Sequence, residues 1–170
     1  MNAPAPPAVP APVPAARTPV AAGLTGLRPC PPPAGWAFRP GDPAARPQVS
    51  CPEDAAALVV PLLAGRDREH CLLVALDTKH RLVGVSTVSV GTADHTFMAP
   101  REIYRDALLS GASAIFVAHN HPSGDATPSA DDRQITRRLA QAGTVLGVEL
   151  LDHLVVGDPE WTSLARDGAL

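Results

Sequence analysis

Two histidines separated by one residue, His119 and His121, follow the apolar run 114–118 and precede Pro122-Ser123-Gly124. The run reads as a buried strand. On a strand, residues i and i+2 point to the same side, so both imidazoles can reach one point. Ser129 and Asp132 come next, at what reads as a helix start, and the intervening loop can carry Asp132 back to that point. Two imidazoles and one carboxylate leave a fourth tetrahedral position open, which suits a catalytic rather than a structural zinc site. Each residue also has a plainer account. A lone histidine on a strand is usually a satisfied core residue, and Ser-x-x-Asp before an apolar helix is close to a capping box. The pair His-x-His before a Pro-Ser-Gly turn shifts the weight towards metal, because neutral imidazole is the commonest metal ligand. Ser129 can cap the helix while its hydroxyl faces the metal.

The elements that must position these groups follow from periodicity and punctuation. Residues 53–63 predict a helix with acidic residues in its first turn, which Pro61 would kink or shorten. The apolar run 70–76 suits a central strand, the polar link 77–80 a hairpin turn, and the alternating stretch 81–90 its partner strand. A short strand near 96–98 is a weaker expectation. Residues 100–109 predict a helix, with Pro100 at its start and Gly111 just past its end. A strand over 114–118 and a helix over 129–142 follow, the helix facing the core with Ile135 and Leu139. A last strand is expected over 148–156, and a single helical turn over 161–168. Strands interrupted by three helices, with hairpin-linked pairs, indicate an α/β (α+β) sandwich around one mixed sheet flanked by helices.

Composition divides the chain. Fourteen of the 20 prolines lie in residues 1–47, mixed with alanine. Such a stretch favours extended conformers and buries too little apolar surface to offset its ordering entropy, so residues 1–48 read as a disordered tail. Residues 52–170 remain as the folded domain. The first 50 residues hold four Arg and one Asp, a charge of +3, which leaves −6 on residues 51–170 of a chain whose net charge is −3. An acidic globular part disfavours non-specific nucleic-acid binding, and solubility is a sufficient account of the basic tail. No apolar run approaches the roughly 18 residues of a membrane helix. Three cysteines, Cys30, Cys51 and Cys71, with no CxxC spacing, point to a reducing cytoplasm, with Cys71 a small buried hydrophobe.

The segment His119-Asn120-His121-Pro122-Ser123-Gly124, with Ser129 and Asp132 at fixed distances behind it, resembles the JAMM signature of the JAB/MPN metalloenzymes. The preceding Pro100-Arg101-Glu102-Ile103-Tyr104 and the following stretch 147–157 (GVELLDHLVVG) make it similar to the bacterial RadC branch, over roughly residues 53–168. The resemblance implies a JAB/MPN (cytidine-deaminase-like) architecture and a Zn²⁺ held by His119, His121 and Asp132. It implies hydrolysis of an amide bond in a peptide or protein substrate. The ligand set alone would equally describe a non-haem iron site, and the resemblance tips the choice to zinc. RadC-type proteins commonly carry an N-terminal helix-hairpin-helix-like segment where this chain has its Pro/Ala tail, so DNA association through that segment is not expected.

The family also uses an upstream glutamate as general base. Glu69, immediately before the strand over 70–76, is the choice, and Glu102 the competitor, although a helix N-terminus already accounts for Glu102. By the same resemblance Ser129 would donate to the oxyanion of the tetrahedral intermediate. His153 could partner the site, a core or surface histidine being the plainer account. His70, His80 and His95 lack ligand-like spacing, and HNH nucleases spread their named residues over a longer element. Three classes remain: a zinc peptidase or isopeptidase, a nucleic-acid-processing or DNA-repair factor, and a non-catalytic module with a residual metal site. Substrate identity and oligomeric state are open.

Overall fold

A computed structural model describes residues 46–92 and 98–170. Most of the expected tail, His95 and most of the suggested strand near 96–98 lie outside the described residues. The first helix, α1 (Pro52–Leu63), begins with Pro52 and places Glu53 and Asp54 in its first turn, where acidic groups suit the helix dipole. Pro61 sits in its last turn without ending it. The carbonyl deprived of a partner belongs to exposed Ala57 and can be met by water.

Strands β1 (His70–Leu76) and β2 (Leu82–Val90) form the expected hairpin. Its link is tightened by the Asp77 carboxylate, which accepts from the backbone N–H groups of Lys79 and Arg81. Ahead of α1, Gln48 bridges Arg81 and Val49 is buried, so the backbone is already paired before the helix begins. Helix α2 (Pro100–Ser110) closes on Gly111, whose φ of 70° supplies the left-handed cap. Strand β3 (Ala114–Asn120), helix α3 (Ala130–Leu146) and strand β4 (Glu149–Val156) make a parallel crossover unit. Residues 161–168 depart from expectation. Trp161–Ser163 is a short strand, β5, paired antiparallel with Leu154–Val156 of β4, and turns follow it. The tight link 157–160 returns the chain beside the end of β4, where the open sheet edge offers more backbone partners than an isolated helical turn.

The sheet order is β2-β1-β3-β4-β5, antiparallel except for β3 and β4. Apolar side chains fill both faces. Leu72, Val74, Phe116 and Leu154 pack with Val59 and Leu63 of α1. On the other face Leu73, Ile115 and Val117 pack with Ile103 and Tyr104 of α2 and Leu139 of α3. Cys71 belongs to this second layer, and burial pushes its thiol up to about 12. The Tyr104 hydroxyl donates to the Leu139 carbonyl at 2.8 Å, fastening α2 to α3. Gly143 permits that approach, since a Cβ there would collide with Tyr104 and the Val148 carbonyl. Buried Asp152 accepts from Ser163 Oγ and from the backbone N–H groups of His153 and Ala165, tying the C-terminal segment to β4. Among the described residues no helix is long and apolar enough to cross a membrane.

Candidate metal centre

His119, the sixth residue of β3, has the same facing as Ile115 and Val117 and so looks into the layer occupied by α3. His121 lies just past the strand end, with its N–H bonded to the Val156 carbonyl. Asp132 is buried in the first turn of α3, which its own side chain helps to start. The three residues offer ligand atoms within 4.8 Å of one another, the one such group among the described residues. His119 Nε2 lies 3.0 Å from His121 Nε2 and 3.2 Å from Asp132 Oδ1, and His121 Nε2 is 3.6 Å from Asp132 Oδ2. Ligand bonds of about 2.0–2.2 Å imply edges of about 3.3–3.6 Å in a tetrahedral zinc site, so these atoms fit such an ion with small adjustments.

Electrostatics point the same way. The His121 Nδ1 donates to the Asp125 carbonyl at 2.8 Å, which can only accept, so in the neutral ring the Nε2 lone pair faces inward. Hydrogen bonding to the Asp132 carboxylate holds His121 above its ordinary range against burial, with the negative charges of Asp132 and Glu69 adding to it. Burial alone would raise the Asp132 carboxyl, but hydrogen bonds and charge from His119 and His121 win and hold it well below the usual range. The site therefore favours a positive charge between an anion and two ring nitrogens.

Asp132 has a second task. Its Oδ2 accepts from the Ser129 N–H at 2.8 Å and from the Ser129 hydroxyl at 2.6 Å, while Ser129 Oγ accepts from the Asp132 N–H. This is the expected capping box, and it leaves Oδ1 to face the metal position. The Ser129 hydroxyl hydrogen is directed at Asp132.

Glu69 lies at the mouth of β1 and is only 8 % exposed. Cys71 opposes His119 in the β1–β3 register, and continuing that register two residues sets Glu69 opposite His121. Its backbone is held on every side. The Glu69 N–H donates to the Thr92 carbonyl and the Glu69 carbonyl accepts from Gly91. Buried Asn120 holds both neighbours, accepting from the His70 N–H at 2.8 Å and donating to the Arg68 carbonyl at 2.9 Å. Glu102 sits in the first turn of α2, half exposed beside Arg101. Of the remaining histidines, His80 occupies the hairpin turn with φ 55° and His70 starts β1.

His153 is more than a core residue. Fully buried, it sets Nε2 2.8 Å from His119 Nδ1 and Nδ1 2.6 Å from Thr136 Oγ1. The parallel register Val117↔His153 gives it the facing of the site. Burial lowers it to about 3, with the His119 charge adding to the effect.

A mixed sheet between helices, with His-x-His at the end of a central strand and an aspartate at the next helix start, defines a JAB/MPN-type protein. The chain belongs to the RadC-like JAB domain family, whose model matches residues 49–169. It is 43% identical over 129 residues to the UPF0758 protein of Desulfitobacterium hafniense, covering 76% of this chain and 57% of that one. It is 43% identical over 132 residues to the UPF0758 protein of Desulforudis audaxviator (78% and 56%) and 45% identical over 119 residues to that of Moorella thermoacetica (70% and 52%). The chain thus spans little more than half the length of these relatives.

Proposed function

We propose that this chain is a zinc-dependent hydrolase of amide bonds, peptide or isopeptide. The observation that carries the reading is the convergence of His119, His121 and Asp132 beside buried Glu69. His119 Nε2, His121 Nε2 and Asp132 Oδ1 would hold the ion. Bound there, zinc supplies Lewis acidity and brings the pKa of water to about 7. Glu69 accepts a proton from the attacking water and passes it to the leaving amine, and burial keeps competing water away from it. Ser129 Oγ donates to the developing oxyanion once its hydrogen turns away from Asp132 Oδ2. That oxygen keeps the Ser129 N–H, so the turn leaves no acceptor bare. The loss of one such donor costs about 10²–10³ in rate. A reducing, cytoplasmic setting belongs to the same reading and is supported by free Cys51 and Cys71.

Glu69→Gln tests the reading. The variant should keep its zinc and lose hydrolysis of a panel of peptide and isopeptide substrates that the parent protein cleaves. Unchanged turnover would remove Glu69 as the base and return attention to Glu102. Salt-dependent DNA binding by a protein that cleaves no amide would favour the nucleic-acid reading instead.

A further inference from the structure

His119 Nδ1 and His153 Nε2 meet at 2.8 Å with both rings buried, and so short a contact holds one hydrogen between them. Which ring carries that hydrogen is decided two contacts away. The Thr136 hydroxyl lies 2.6 Å from the main-chain carbonyl of Asp132, one turn back along α3. A carbonyl oxygen only accepts, so the single hydroxyl hydrogen of Thr136 is committed there. Thr136 Oγ1 is also 2.6 Å from His153 Nδ1 and, towards that ring, can only accept. His153 therefore carries its hydrogen on Nδ1. The ring is fully buried and neither nitrogen meets a carboxylate, so it is neutral and its Nε2 is bare. His119 must then donate from Nδ1, which leaves its own Nε2 lone pair facing Asp132 and His121, and without metal the 3.0 Å contact is filled by a hydrogen on His121 Nε2.

We propose that Thr136 and His153 form a hydrogen-bond relay that fixes His119 in the Nδ1–H tautomer and so keeps Nε2 ready for metal. The proposal rests on the metal-centre reading above. Thr136 and His153 are positioning residues, since the relay engages both nitrogens of His153 and the hydroxyl of Thr136 away from the metal position. The relay runs from the main chain of Asp132 to the ring of His119, so two of the three ligands are joined through it. Helix α3 thereby delivers Asp132 and sets the protonation pattern of His119 in one docking event.

Removing the hydroxyl reverses the relay. In Thr136→Val the His153 Nδ1–H has no acceptor there. The ring can move its hydrogen to Nε2 and donate to His119 Nδ1. His119 then carries its hydrogen on Nε2, where the metal needs a lone pair. Partners of this kind typically change metal affinity by about 10–100-fold.

Long-range nitrogen–proton NMR on the full chain, zinc removed, reads the tautomer of the neutral His119 ring directly. Titration with zinc alone reads affinity. The parent protein should show Nδ1–H at His119. Thr136→Val should show Nε2–H and bind zinc about 10–100-fold more weakly, while Thr136→Ser keeps the parent tautomer and affinity. His153→Gln offers an amide oxygen near the former Nε2 position and should retain zinc better than His153→Leu. An Nε2–H tautomer in the parent protein, or parent-like zinc affinity in folded Thr136→Val, overturns the relay. Absence of zinc binding by a parent protein that shows the Nδ1–H tautomer would instead contradict the metal-centre reading while the relay stands.

Discussion

Asp132 combines a helix-start role with the ligand role proposed for it, and Asp132→Asn should separate them. The carbonyl oxygen of the introduced amide can take the place of Oδ2 and accept from the Ser129 N–H and hydroxyl, now at 2.8 and 2.6 Å. The amide nitrogen then lies where Oδ1 faces His119 Nε2 at 3.2 Å, and can donate to that lone pair. With zinc removed and His121 neutral, the variant should unfold in urea within about 1 kcal/mol of the parent protein, because no buried polar group loses its partner. Asp132→Ala instead leaves the Ser129 N–H without its acceptor and breaks the capping box, at a cost of about 1–2 kcal/mol. Zinc reverses the grouping. At 100 times its dissociation constant zinc should stabilise the parent protein by about 2.7 kcal/mol, and both variants by little or nothing. The assay is urea unfolding with chelator and again with zinc. An apo Asp132→Asn protein as unstable as Asp132→Ala would refute the proposed amide geometry. Equal zinc stabilisation of Asp132→Asn and the parent protein would refute the ligand assignment.

Acid should weaken the zinc-free protein through His153. Its folded-state pKa of about 3 lies below the ordinary 6.5, so the unfolded chain binds more protons between those values and stability falls as pH drops from 6.5 towards 3. The contribution is on the order of 5 kcal/mol at most. His121, held above its ordinary range, acts in the opposite sense, so the quantity to compare is the parent protein against His153→Gln. The variant should show the shallower loss below pH 6.5, and parallel curves would count against a neutral buried His153. Gly143→Ala places a methyl against Tyr104 and the Val148 carbonyl and should cost about 1–3 kcal/mol in urea unfolding, and an unchanged midpoint would contradict the close α2–α3 approach.

Local features were legible where chain chemistry and tertiary context agree. The run 70–76 is bounded by turn residues and became β1 at the expected residues. Helix α2 shows its Pro start and Gly end, and Ser129 caps α3 with Asp132. The grouping of His119, His121 and Asp132 was legible through strand alternation and a short return loop. What stayed hidden depends on pairing between distant segments. Trp161–Ser163 is a strand only because β4 offers an open edge beside it. The contact of His153 with His119 follows from the parallel register of β3 and β4, which periodicity does not reveal. The sequence assigns no role to Asn120 between His119 and His121, yet its alternate facing lets it hold both neighbours of Glu69.

Zinc content of the purified protein is the most direct measurement, by elemental analysis beside Asp132→Ala. The account predicts about one zinc per chain, lost in the variant. A parent protein that takes up no zinc even when zinc is supplied, or a variant that retains it, would contradict the metal centre.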